Sequence, residues 1–303
     1  MPSNSAESAV SRRSVPAEIA LQQNDVVVSG IRLRYTHQPC TAATPSGPPL
    51  LMLHGLLGYS FCWRRNLPEL SRYAEIYAPD LPGAGFSDRP QAFQPTLPQF
   101  ARLVAEFCEA LGLQQIDLLG TSHGAAVAML LASQTGYVRR LVLNAPVNPW
   151  SSGNQRRIAR FSTLPGALAL RAIYPLLLRR GEYFLGQLYC DPQRIPADAV
   201  AGYVAALRTP GTAKFLLRML PDWCADLEAL KSALGKISAI PTLLVWGEAD
   251  HAIALASARP LERCFQQAQV HVIANSGHMP YEETPDEFNR LVIEFLYRNG
   301  SGL

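Results

Sequence analysis

The chain has 303 residues, of which 48% are hydrophobic and 17% charged, with a formal net charge of +3. That much apolar material excludes a disordered chain, and the length suits one large α/β domain with an insertion or two smaller domains. The charge comes mostly from arginine in scattered pairs (Arg12-Arg13, Arg139-Arg140, Arg156-Arg157, Arg179-Arg180), which predict solvated faces and no nucleic-acid partner.

Residues 1–20 lack the apolar core of a signal peptide and read as a loose tail. "DVVVSGIRLRY" reads as two short strands joined at Ser29-Gly30, and "PPLLMLHG" as a buried strand ending at His54-Gly55. "AEIYAPDLPGAGFSD" is a further strand running into a glycine-rich loop. Apolar spacing predicts a helix over 97–111, stopped by Gly112. "IDLLG" is apolar in the manner of parallel strands covered on both faces. A helix from 123 to about 135, the strand "RRLVLNAP", and later "IPTLLVWG" and "QVHVIAN" continue the alternation. Such alternation implies a doubly wound, mostly parallel sheet with its site at the carboxyl ends of the strands.

Between Val147 and Leu234 no strand-like run occurs. "ALALRAIYPLLLRRGEYFLGQLY", "PADAVAGYVAALR" and "GTAKFLLRMLPDW" read as helices. The expected organisation is a core from 21–146 and 235–303, with a helical cap inserted over 147–234. No apolar run reaches the roughly 18 residues of a membrane span. Six widely spaced cysteines, with no C-x-x-C, point to a reduced cytoplasmic setting without a metal or redox site.

Gly120-Thr121-Ser122-His123-Gly124 follows an apolar strand and opens a helix, the context of a nucleophile elbow. Ser122 could otherwise be a simple N-cap, since serine is favoured there. A serine hydroxyl needs a base, and His278, in a small-residue loop after "QVHVIA", is placed to be one. His271 lies inside that strand and should face the packing layers; His37 belongs to the N-terminal hairpin. The acid is expected between serine and histidine at a strand end. "LLVWGEADHAIAL" offers Glu248 and Asp250 there, and Asp250 is chosen because a short loop carries it towards His278. The other strand end, after "RRLVLNAP", holds only Asn144 and Asn148. Backbone N–H groups of Leu56 and His123 would form the oxyanion hole. The His54 and His123 side chains lack a third partner for a metal, and the loop Asp80–Asp88 lacks the lysine of a phosphate loop. Both read as structural.

"HGLLGYSFCWRR", "DLPGAGFSDRP", "GTSHGA", "WGEAD" and "SGHMPYEETPDEFNRLVIEFL" together resemble the α/β-hydrolase superfamily over residues 24–299. The similarity is to the capped branch shared by esterases, epoxide hydrolases, haloalkane dehalogenases and carbon–carbon bond hydrolases. It implies an α/β-hydrolase fold, Ser122 as nucleophile, Asp250 as acid, His278 as base, and Leu56 with His123 as the hole. Epoxide hydrolases and dehalogenases of this kind carry aspartate at the nucleophile, where this chain has serine. Carbon–carbon hydrolases usually have proline after the His-Gly, where it has Leu56, and cofactor-free haloperoxidases commonly have methionine where it has His123. The expectation is a serine carboxylic-ester hydrolase without cofactor. An apolar and aromatic cap (Tyr174, Tyr183, Leu216, Met219, Leu220, with Leu217 and Trp223 binding substrate) would favour small to medium hydrophobic esters. The alternatives are a carbon–carbon or lactone hydrolase with the same triad, or a ligand receptor with vestigial turnover.

Overall fold

A computed structural model describes residues 22–151 and 163–298. The expected tail, residues 152–162 of the inserted segment and the last five residues lie outside the described residues. Eight strands form one sheet: β1 (Gln22–Val28), β2 (Ile31–Gln38), β3 (Leu50–Leu53), β4 (Ile76–Pro79), β5 (Ile116–Thr121), β6 (Val138–Asn144), β7 (Thr242–Gly247) and β8 (Ala268–Ile273). Their order is β1-β2-β4-β3-β5-β6-β7-β8, antiparallel at β1-β2 and β2-β4 and parallel elsewhere. The hairpin turns at Ser29 and Gly30, whose φ angles of 47° and 75° fall in the left-handed region that tight hairpins use.

Alternation along the central strands sends side chains to two different cores. Leu51, Leu53, Leu118, Leu141, Leu143 and Leu244 face one layer; Leu50, Met52, Leu119, Val142, Leu243 and Val245 face the other. Both sets are buried, which is why these strands read as unbroken apolar runs. β8 differs, because it lies at the sheet edge. His271, expected against a packing layer, is exposed, as are its neighbours Gln269 and Val272.

Helices α1 (Leu97–Ala110) and α2 (His123–Gln134) cover the first face. Every residue of α2 from His123 to Ala132 is buried, and its alanines let it lie close to the strands. Between β6 and β7 the described residues hold helices and no strand: α3 (Leu164–Arg179), α4 (Gly181–Gly186), α5 (Ala199–Leu207), α6 (Thr212–Met219) and α7 (Trp223–Ala233). Leu227, Leu230 and Ala233 of α7 join the same core as α1 and α2, so this last helix is packed into the main body. Helices α8 (Pro280–Glu283) and α9 (Pro285–Ile293) follow β8, and Phe288 and Val292 of α9 pack in the second core with Trp63 and Leu70.

Two polar ties hold the inserted segment to the body. Glu282 has a fully buried side chain and accepts from Arg64 (2.8 and 3.2 Å), from the Tyr189 hydroxyl (2.7 Å) and from the Tyr203 hydroxyl. Arg64 also reaches Asp198 at 2.6 Å. A buried carboxylate needs such a set of donors. At the other end, Asp226 of α7 accepts the Leu97 N–H at the start of α1 (3.0 Å), where Thr96 provides no side-chain cap. Arg139 is likewise a structural group, not the solvated one expected, since it pairs with the fully buried Asp117 at 2.5 and 2.9 Å.

Burial pushes the Asp226 carboxyl up to about 7, with the Leu97 N–H pulling the other way and Asp222 adding to the rise. Its proton is held more tightly in the folded chain than at the ordinary value of 3.8. The stability linked to that proton is therefore complete below the ordinary value and is lost as the pH climbs through 7. Asp226→Asn keeps an oxygen for Leu97 and removes the titration. Urea midpoints across this range are expected to fall more steeply with rising pH for the wild type than for the variant. Parallel curves would show that Asp226 does not titrate there.

Candidate active site

Ser122 sits between β5 and α2 at φ 52° and ψ −118°, a conformation that costs an L-residue about 1–3 kcal/mol and persists only where surroundings enforce it. The flanking glycines show the enforcement. A Cβ on Gly120 would lie 2.6 Å from Cα of Ala125, and one on Gly124 would lie 2.3 Å from the His54 carbonyl oxygen. The Ser122 N–H donates to the Asn144 carbonyl (2.9 Å), and its own carbonyl accepts from Val147 (3.1 Å). Its hydroxyl makes no helix-capping hydrogen bond. A serine held in a strained turn without capping the helix is not explained as an N-cap.

Asp250 and His278 come together from the ends of β7 and β8. The Nδ1–H of His278 donates to Oδ2 of Asp250 at 2.8 Å. Asp250 is fully buried at its side chain, and its Oδ1 accepts the Ala252 and Ile253 N–H groups at 2.8 and 2.9 Å. A carboxylate can only accept, so the imidazole proton resides on Nδ1 and Nε2 keeps its lone pair. Glu248, the rejected neighbour, is exposed and accepts the Asn275 N–H at 3.4 Å.

The loop after β3 passes over the serine. A Cβ on Gly55 would stand 3.1 Å from Cβ of Ser122. Leu56, the next residue, is exposed, and His123 opens α2 directly after Ser122. The peptide that carries the Leu56 N–H is fixed by His54. Its Nε2 accepts the Leu81 N–H (2.9 Å), so its proton is on Nδ1, which donates to the Gly55 carbonyl (2.9 Å) and orients the Gly55-Leu56 peptide. Burial keeps His54 neutral by lowering its pKa, against the pull of Asp80.

Burial also lowers the pKa of His123 to about 3, with His54 a smaller cause. Its ring lies edge-on to Phe100 (5.3 Å) and stacks with Trp223 (6.2 Å), so it packs rather than exchanging protons. No group of three or more His, Cys, Asp or Glu side chains among the described residues could hold a metal ion. Asp80 closes the glycine-rich loop by accepting the Phe86 N–H at 2.9 Å and ties it to the segment after β3 by accepting the Ser60 N–H at 2.8 Å.

Two cavities meet at Leu56. One, of about 30 Å³, is lined by His54, Gly55, Pro82, His123 and Phe215. The other, of about 120 Å³, is lined by Arg171, Tyr174, Leu217, Leu220 and Trp223. Leu216 and Met219 belong to both. Of the cap residues expected around a substrate, Tyr183 lies apart, 61% exposed on the surface.

Glu283 was not expected at the site. Its Oε1 accepts the Gly277 N–H (2.7 Å) and its Oε2 the Cys190 N–H (2.8 Å), while the His278 N–H donates to the Leu188 carbonyl (2.7 Å). The loop carrying His278 is thus pinned to the inserted segment. A signal existed in the adjacent acids Glu282 and Glu283, which follow the histidine after the short run Met279-Pro280-Tyr281.

An eight-stranded, mostly parallel sheet with a strained serine after β5 and an Asp–His pair at the ends of β7 and β8 has the architecture of an α/β hydrolase. The alpha/beta hydrolase fold family matches residues 48–285, and the chain belongs to it. The 2-hydroxymuconate semialdehyde hydrolase of Pseudomonas sp. (strain CF600) is 30% identical over 285 residues, covering 90% of this chain and 93% of that one. The magnesium-chelatase 30 kDa subunit of Rhodobacter capsulatus is 29% identical over 253 residues, covering 82% and 87%. Among solved structures, Cfl2 from Burkholderia cenocepacia shares the fold with a TM-score of 0.78 at 24% identity, covering 94% of this chain and 98% of that one.

Proposed function

We propose that this hydrolase cleaves carboxylic esters of small to medium hydrophobic acids through an acyl-enzyme. The observation that carries the reading is the buried Asp250–His278 pair at 2.8 Å, which leaves the Nε2 lone pair of His278 unprotonated, together with the strained Ser122 at the end of β5. In the first half, His278 takes the Ser122 proton as Oγ attacks the ester carbonyl. The negative oxygen of the tetrahedral adduct accepts from the Leu56 and His123 amides. The C–O bond then breaks, and the alcohol leaves with the proton from His278. In the second half, water gives its proton to His278 and attacks the acyl-serine; the bond to Oγ breaks, Ser122 takes that proton back from His278, and the acid is released. Asp250 holds the imidazole tautomer and offsets its transient positive charge. The test is a panel of p-nitrophenyl esters, with mass-spectrometric mapping of a fluorophosphonate adduct. A label on another serine, with Ser122 unmodified, would overturn it.

Leu217 and Trp223 are assigned to the acyl site because they line the apolar cavity that reaches Leu56. An apolar pocket discriminates by about 1–3 kcal/mol per methylene, so chain-length preference should be graded. Leu217→Ala is expected to move the optimum of kcat/KM towards longer acyl chains, measured from acetyl to dodecanoyl esters. An unchanged profile would place the acyl site elsewhere.

A second reading, hydrolysis of a carbon–carbon bond, is favoured by the 30% identity to a semialdehyde hydrolase. It would use the same residues. Cleavage of a ring-fission or β-diketone substrate, with no ester turned over, would select it.

A further inference from the structure

The longest helix of the inserted segment turns an apolar stripe to solvent. At about 100° per residue, Leu168, Ala172 and Leu176 of α3 line up at i, i+4 and i+8, with Ala169 and Ile173 beside them. All five are exposed, Leu168 by 58%, Leu176 by 45% and Ile173 by 41%. Immediately after, α4 adds Tyr183 and Phe184, exposed by 61% and 37%, with their rings edge to face at 5.4 Å. A helix facing only water carries polar residues on this side, so the pattern is inverted.

The charge is one-sided as well. Arg171, Arg179 and Arg180 are exposed along the same two helices, against the single acid Glu182 between 164 and 186. Leucines, isoleucine and aromatic rings bordered by guanidinium groups match the boundary of a bilayer, where acyl chains take the apolar groups and headgroup phosphates take the arginines. The larger apolar cavity has Arg171 and Tyr174 of α3 in its wall.

We propose that α3 and α4 dock the protein onto an anionic lipid surface, with the Leu168–Leu176 stripe in the headgroup boundary and Arg179 and Arg180 on the phosphates. The docking is independent of which bond the enzyme cleaves. It is tested by floating the full-length chain with phosphatidylcholine vesicles, with and without phosphatidylglycerol, at low and high salt. The expected result is partition onto the anionic vesicles that falls as salt rises. Removing each arginine's charge should weaken partition roughly fivefold, and reversal in the Arg179→Glu, Arg180→Glu variant should weaken it by at least about 25-fold. Leu168→Asp with Leu176→Asp should abolish it. Both variants should retain wild-type circular dichroism and melting, since the altered residues lie on the surface. Failure of the wild type to float with anionic vesicles, or flotation of the variants equal to it, overturns the proposal. A wild-type dimer that Leu176→Asp disperses, without vesicle binding, would instead make this face a contact between copies and overturn it too.

Discussion

Ser122→Ala is expected to lower kcat for ester hydrolysis by about a million-fold, the scale seen when a serine hydrolase loses its nucleophile. The fold should be unaffected. Alanine keeps the Cβ and therefore the same strain at φ 52°, and the hydroxyl makes no cap bond to lose. An N-cap serine would behave in the opposite way, losing about 1 kcal/mol of stability on truncation with activity retained. Steady-state kinetics together with a melting curve separate the two roles. A folded variant with wild-type turnover would remove Ser122 from the chemistry. A large loss of stability would show that the elbow serine holds the fold together.

Asp250→Asn is expected to reduce kcat by about ten-thousand-fold, because the histidine is left in the wrong tautomer. The hydrogen bonds around Asp250 say why. Its Oδ1 faces two N–H donors, those of Ala252 and Ile253, so the oxygen of an asparagine must occupy that position. Its NH₂ then points at Nδ1 of His278, where the carboxylate oxygen had accepted a proton at 2.8 Å. Two donors cannot share that contact, and the imidazole proton moves to Nε2, which can no longer act as base. Glu248→Gln is expected to leave kcat within about twofold, since Glu248 is exposed and its contact is a backbone N–H at 3.4 Å. Comparable losses in the two variants, or the greater loss at Glu248, would mean that Asp250 is not the acid.

Much of the architecture was legible from local pattern. Runs such as Leu50–Leu53 and Thr242–Gly247 are buried at every step and almost wholly apolar, because both faces of these strands are covered. The periodic apolar residues of Leu97–Ala110 likewise announced a helix ended by Gly112, which takes φ +70°. The pattern of the elbow could be read from five residues, since Gly120 answers to Ala125 within the same turn, whereas Gly124 answers to Leu53 and His54 of a distant segment. Chemistry that depends on short-range geometry leaves a short-range trace.

Where strands stand in the sheet leaves none. His271 looked buried because β8 has the composition of an inner strand, yet sheet order puts β8 at the edge and His271 in solvent. Arg139 reads as solvated because it belongs to one of several scattered arginine pairs; its partner Asp117 is on the neighbouring strand. The ties around the histidine loop follow the same rule. Arg64 meets Glu282 across more than two hundred residues, and Glu283 joins the Gly277 and Cys190 amides from separate segments. The sequence alone determined the strands, the helices and the residue types at each strand end, because periodicity and turn chemistry act over a few residues. Which side chains face water, which charges pair and how the inserted helices grip His278 were decided only by tertiary packing, because a buried charge takes whatever partner the folded chain brings within hydrogen-bond reach.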